Sequence, residues 1–208
     1  MQERFVINIG RQFGSGGKSI GERLARRLGI RLYDKELINL AAEASGFAVE
    51  HFEQADEHKR KGWLQHLVGS LRTSYVGSRN PISGDALFQI QSNVIRRLAE
   101  RESCIFVGRC ADYILRDHPR SVSLFLTADD DDRIRRITAR SGCSPDEARA
   151  LMERIDDRRA TYYNYYASRT WGVAATYDLT INTSRLGEEA SAELIHTFIV
   201  RKLNLPQP

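Results

Sequence analysis

The sequence predicts an α/β domain of three layers, in which a five-stranded parallel sheet is covered by helices on both faces. Three observations lead there. The apolar run Phe5-Val6-Ile7-Asn8-Ile9 passes through a glycine-rich loop straight into the helically periodic stretch from Ile20 to Gly29. Four further runs, Arg31–Tyr33, Cys104–Val107, Val122–Leu126 and Leu179–Asn182, have the length and composition of buried strands. Helical patterns lie between the runs, and such alternation is the mark of a parallel sheet.

Taken in order, the first strand leads into Gly14-Ser15-Gly16-Gly17-Lys18-Ser19 and then a helix. Strand, glycine loop ending in Gly-Lys-Ser, and helix make a phosphate-binding P-loop in its required context. Small residues are needed because backbone N–H groups must converge on phosphate oxygens, which a Cβ would obstruct, while the helix N-terminus adds its positive dipole end. Lys18 is placed to reach the outer phosphates and Ser19 to offer a hydroxyl to Mg2+. One departure stands out: Gln12 occupies the place where the usual pattern has its first glycine.

The helix that follows puts Ile20, Leu24 and Leu28 four residues apart and stops at Gly29. After the short second strand comes Asp34, suited to accept a hydrogen bond from a substrate, to lie near Mg2+, or to cap a helix from Lys35 to Ala44. The stretch from about residue 47 to 98 breaks the alternation. Trp63, Leu64, Leu67, Val68 and Leu71 read as helix there, followed by a loop from Gly77 to Gly84, and an inserted substrate lobe is expected.

The third strand ends in Gly108-Arg109, with Asp112 either touching the substrate or capping a helix that begins near Tyr113. Past the fourth, the acids Asp129 to Asp132 precede Arg133, Arg135 and Arg136, the charge order that a helix dipole favours. Ser144-Pro145-Asp146-Glu147 spells a capping box with proline at the first helical position, backed by the stripe Ala148, Leu151, Met152 and Ile155. Residues from about 154 to 172, rich in Arg and Tyr, stand where a lid would close over a triphosphate. Arg158 and Arg159 are its candidates to clamp a transferring phosphoryl group, against the alternative of ordinary surface ion pairs. Ligands of parallel sheets bind at the carboxyl ends of the strands, so Gln12–Ser19, Asp34, Gly108-Arg109, Asp129 and Thr183-Ser184 outline the expected site.

With 208 residues, the chain is expected to form one domain. Only five of its 31 basic residues are lysine, and arginine is the side chain that grips phosphate in bidentate fashion. Basic residues interleave with acids and carry no nucleic-acid-binding signature, so no nucleic-acid partner is expected. Cys104, Cys110 and Cys143 fit neither a disulfide framework nor a zinc site, and the five histidines lack ligand spacing. No signal peptide or membrane-spanning run is visible, which predicts a cytoplasmic protein without a membrane partner. Whether it forms a homo-oligomer is left open.

These pieces together resemble the nucleoside monophosphate kinases, most closely the cytidylate kinase-like family. The likeness rests on Ile7 to Lys18, on Tyr33-Asp34-Lys35-Glu36-Leu37-Ile38, on Ile105 to Arg109 with Ala111 to Leu115, and on Leu124 to Ala128. It continues in Asp156-x-x-Arg159-x-x-Tyr162-Tyr163 and in Tyr177 to Ser184. The resemblance implies a single P-loop kinase domain over 1–208, with ATP and Mg2+ as cofactors and a nucleotide as small-molecule substrate. It implies transfer of the γ-phosphoryl group of ATP to a nucleoside monophosphate such as CMP. Lys18, Arg159 and Arg158 would then be catalytic, Gly14, Ser15, Gly16, Gly17, Lys18 and Ser19 would bind ATP, and Asp34, Arg109 and Asp112 would bind the acceptor. In true cytidylate kinases Asp directly follows Gly-Arg and Pro usually follows the last lid arginine; here Cys110 and the Tyr162-Tyr163 segment stand instead. A kinase of another small molecule and a non-catalytic nucleotide-binding regulator remain as alternatives.

Overall fold

The computed structural model describes residues 4–34 and 84–206. Two units divide the chain, residues 1–34 with 98–208 and residues 35–97. The expected helix from Lys35 to Ala44, the stripe from Trp63 to Leu71 and nearly all of the loop from Gly77 to Gly84 lie outside the described residues. Of the second unit, residues 84–97 are described, as the first turns of a helix, α2, that spans Gly84–Arg101.

The first unit holds the whole sheet. Strands β1 (Val6–Arg11), β2 (Arg31–Tyr33), β3 (Cys104–Val107), β4 (Ser121–Thr127) and β5 (Leu179–Asn182) are all parallel, in the order β2-β3-β1-β4-β5. β1 runs two residues beyond its apolar core because Gly10 and Arg11 still pair with Phe125 and Leu126 of β4. The central strand therefore delivers the glycine loop between the carboxyl ends of its neighbours β3 and β4.

Side chains alternate across the sheet with a period of two. Ile7, Ile9, Ile105, Val107, Leu124 and Leu126 form one continuous core with Ile20 and Leu24 of α1 (Gly17–Leu28) and Ile195 and Ile199 of α6 (Gly187–Leu203). Burying each such side chain stabilises by about 1.5–3 kcal/mol, which holds both helices on that face. On the opposite face Tyr33 stacks on Phe106 at 5.7 Å between ring centroids, and Phe125 meets Trp171 and Tyr177. Gly29 ends α1 in the left-handed region at φ 65°, with Arg26 and Arg27 in the last turn.

Helix α3 (Ala111–Ile114) starts from Cys110, so Asp112 lies inside its first turn and does not cap it. Cys110 takes the cap position because its backbone is left-handed, at φ 54°. α4 (Asp130–Ser141) begins with three acids and keeps Arg140 in its last turn. Both halves of the expected capping box are formed between Ser144 and Glu147 at the start of α5, Pro145–Ala167. This helix continues unbroken through residues 154–167 of the stretch expected to act as a lid, since no glycine or proline interrupts residues 146–167. Among the described residues no helix is long and apolar enough to cross a membrane.

Candidate active site

Five successive carbonyls of the loop are held by side chains, four from elsewhere in the protein and one from Ser15 of the loop itself. Arg11 O accepts from Arg159 Nη1 at 3.2 Å, Gln12 O from Ser15 Oγ at 2.8 Å, and Phe13 O from Arg133 Nε at 2.8 Å. Gly14 O accepts from Arg136 Nη1 at 3.2 Å and Ser15 O from Thr183 Oγ1 at 2.9 Å. In a trans peptide the N–H points opposite to the C=O, so the Gly14 and Gly16 amides project to the other side. There they join Gly17, Lys18 and Ser19, whose amides have no acceptor within α1 because they open it. Gly14 and Gly16 both sit at φ 82°, which a side chain would strain.

Gln12, the departure from the usual spelling, has a local task. Its backbone is not left-handed, so glycine is not required. The side-chain Oε1 accepts from the Thr127 hydroxyl and, at 3.4 Å, from the Ala128 amide, while the Gln12 backbone N–H donates to Leu126 O at 2.9 Å. It fastens the loop to the end of β4.

Helix α5 supports the loop from its other side. Met152, Asp156, Arg159 and Tyr163 recur at four, three and four residues, one stripe of an α-helix. Asp156 accepts the Phe13 amide at 2.8 Å and pairs with Arg133, whose side chain is only 4% exposed. Arg133 returns its Nε to the Phe13 carbonyl, so a buried ion pair grips both ends of one residue of the loop. Arg159 reaches Arg11 O and lies with its guanidinium 5.6 Å from the centre of the Phe13 ring. One turn on, the Tyr163 hydroxyl donates to Asp112 at 2.6 Å.

At the end of β3, Gly108, Arg109 and Cys110 are successively left-handed, with φ 78°, 61° and 54°. Two non-glycine residues in that region store about 1–2 kcal/mol each, and such strain collects at functional sites. Tyr162, Arg11 and Asp34 all bear on the charge of Arg109. Burial, with Arg11 adding repulsion, lowers the Arg109 guanidinium to about 10, still a cation at neutral pH. Burial also raises the Asp112 carboxyl above its ordinary range, against the Tyr163 hydrogen bond that pulls it down. The Cys110 thiol is pushed upward by burial and by Asp112, which keeps it an inert core thiol.

The structure thus gathers Gly14 to Ser19, Arg159, Arg109 and Asp34 around the carboxyl ends of β1, β2 and β3. Lys18 is exposed at the loop's end with Glu22 at 3.8 Å, and Ser19 is half-buried beside it. Arg158 is not brought to the loop: it is exposed, and its Nε donates to Arg154 O on its own helix. Asp112 faces Tyr163 of α5. Arg11, Arg133, Arg136 and Asp156 were not singled out from the sequence as site residues. The signal for Asp156 was available, since a carboxylate continuing the apolar stripe of Met152 must be buried and must find a partner.

A family model described as the cytidylate kinase-like family matches residues 6–185. A cytidylate kinase of Methanopyrus kandleri is 27% identical over 98% of this chain and 97% of its own length. One from Halobacterium salinarum is 28% identical over 51% of this chain and 57% of its own. The solved structure of an uncharacterized protein from Eubacterium ventriosum superposes with a TM-score of 0.72 at 29% identity, covering 94% of this chain and 98% of that one. Shikimate kinase from Bacteroides thetaiotaomicron, 16% identical, covers 97% of this chain and 99% of its own with a TM-score of 0.54, and so shares the fold. The chain belongs to the cytidylate kinase-like family and is a nucleotide kinase-like phosphotransferase.

Proposed function

We propose that the protein transfers the γ-phosphoryl group of ATP, with Mg2+, to a nucleoside monophosphate, CMP first. The observation that carries the reading is the capture of carbonyls 11–15 by surrounding side chains, which supports a ring of amides aimed at an anion. Lys18 adds charge at the outer phosphates, and the Ser19 hydroxyl is the group that would hold Mg2+, which when bound offsets phosphate charge. Arg159 clamps the transferring group from α5, a role that exposed Arg158 does not share. Arg109 and Asp34 serve the acceptor, and Asp112 orients Tyr163 behind them.

An acceptor phosphate is already ionised at neutral pH, so positioning and charge neutralisation are the main requirements of the reaction. The two cytidylate kinases among the relatives support CMP as the first acceptor to try. Residues 154–172 would act as the lid, and acceptor choice would reside in residues 47–98. ADP release measured with ATP alone and with each of CMP, UMP, AMP and GMP tests the reading. Acceptor-dependent release supports it; the same slow hydrolysis with or without every acceptor overturns it.

A further inference from the structure

We propose that Gln12, which stands where the usual pattern has its first glycine, is a positioning residue for ATP: its side chain closes a ring of hydrogen bonds that sets the direction of the loop's amides. The inference deepens the kinase reading above and rests on it. Four residues make the ring. Gln12 Oε1 accepts from the Thr127 hydroxyl at the end of β4, and the Thr127 carbonyl accepts, at 2.8 Å, the N–H of Thr183 just past β5. The Thr183 hydroxyl donates to Ser15 O at 2.9 Å, and the Ser15 hydroxyl returns to Gln12 O at 2.8 Å. The loop is thus tied to the ends of two strands through one circuit.

The chemistry of its neighbours fixes which way the Gln12 carboxamide is turned. The Ala128 N–H, 3.4 Å away, can only donate, so the atom that faces it is the oxygen. Ser15 and Thr183 are fully buried, and a buried polar group that loses its partner costs more than the bond itself contributes. Ser15 O and the Gly16 N–H belong to one trans peptide, so the hold of Thr183 on the carbonyl turns that amide to the side proposed to meet the phosphates. Arg136 brings the preceding peptide to the same point, since its Nη1 donates both to Gly14 O at 3.2 Å and to Thr183 Oγ1 at 3.1 Å. Glycine at position 12 has no side chain with which to close the ring. Restoring the usual spelling of the motif should therefore weaken the site.

The test compares Gln12→Gly, Thr127→Val, Thr127→Ser and the double variant Gln12→Gly with Thr127→Val against the wild type. Calorimetric titration of ATP with Mg2+ into the free protein gives Kd, steady-state kinetics with each substrate varied in turn give both KM values, and melting temperatures show that each variant is folded. Gln12→Gly and Thr127→Val should each raise the ATP Kd and KM about 3- to 10-fold, as for loss of one neutral hydrogen bond, with the acceptor KM within about twofold of wild type. Thr127→Ser keeps the hydroxyl and should recover most of the affinity. Both single changes open the same ring, so the double variant should bind ATP within about twofold of either alone. A lower melting temperature with wild-type ATP affinity, equal rises in the two KM values, or additive losses in the double variant overturn the proposal; if Gln12→Gly does not fold, the two Thr127 variants decide it. If the wild type binds ATP but phosphorylates no monophosphate, the kinase reading fails, and the ATP titrations still decide the role of Gln12.

Discussion

Asp156→Ala tests the support of the loop most directly. The wild-type carboxylate is 15% exposed and does two things: it accepts the Phe13 amide at 2.8 Å and neutralises Arg133, which is 4% exposed. Removing it leaves Arg133 with Asp130 at 3.2 Å, a partner whose own side chain is 58% exposed and therefore well screened. It also leaves the Phe13 N–H without its acceptor. Breaking a buried pair from one side costs about 3–5 kcal/mol, and the surviving Asp130 contact puts this case near the lower figure. For a chain of this size that corresponds to a melting temperature lower by roughly 6–12 °C. Thermal and urea denaturation of wild type, Asp156→Ala, Arg133→Met and the double variant form the assay. The double variant should lose less than the two single losses added, by about 1 kcal/mol or more, since it leaves no orphaned charge. If Asp156→Ala is as stable as the wild type, or if the losses are additive, the buried clamp on Phe13 is not an energetic unit.

Lys18→Ala should abolish phosphoryl transfer, a loss of about 3 kcal/mol or more of transition-state stabilisation, and should leave the melting temperature unchanged. The side chain is 65% exposed and, among the described residues, pairs only with Glu22, so full activity in the folded variant would remove the loop reading. Burial raises the Asp112 carboxyl in the folded protein, so its stabilising contribution is full below the unfolded value near 4 and is lost as pH rises through the folded one. Asp112→Asn, which still accepts from Tyr163 but cannot ionise, should therefore gain in melting temperature relative to wild type between pH 4 and 7; a relative loss over that range contradicts the sign. The sign reverses at Asp178, where burial is outweighed by Lys202 and Ser123 and the carboxyl is lowered. Its contribution is present above the unfolded value and lost as pH falls through the folded one, so the stability gap between wild type and Asp178→Asn should close below about pH 4. Hydrogen exchange over residues 154–172 should slow when ATP and an acceptor are bound, as closure of a lid requires; equal protection with and without bound ligand would make this segment a fixed strut.

The order of strands and helices was legible in the sequence because it depends on local patterns. Apolar runs such as Cys104–Val107, the Ser144 capping box, the stop at Gly29 and the Gly-Lys-Ser junction each report on a few neighbouring residues, and the structure follows them closely. The parallel sheet itself follows from strand and helix alternating. What the sequence could not supply was which distant side chains hold the loop open. Arg133 and Asp156 lie 23 residues apart and meet across Phe13, more than 100 residues earlier in the chain. Their helices read locally as a dipole-matched surface and an amphipathic stripe, and nothing in either pattern names the other. Arg158 and Arg159 are equivalent by composition, yet one faces water and the other meets Arg11 O, because neighbouring positions on a helix point about 100° apart. Gln12 and Cys110 looked like defects of a motif. Tertiary structure turned one into an anchor on β4 and the other into the cap of α3 within a left-handed turn. Sequence determined the elements through short-range periodicity; only the packing of those elements decided which polar groups were buried, and burial is what compels them to find partners.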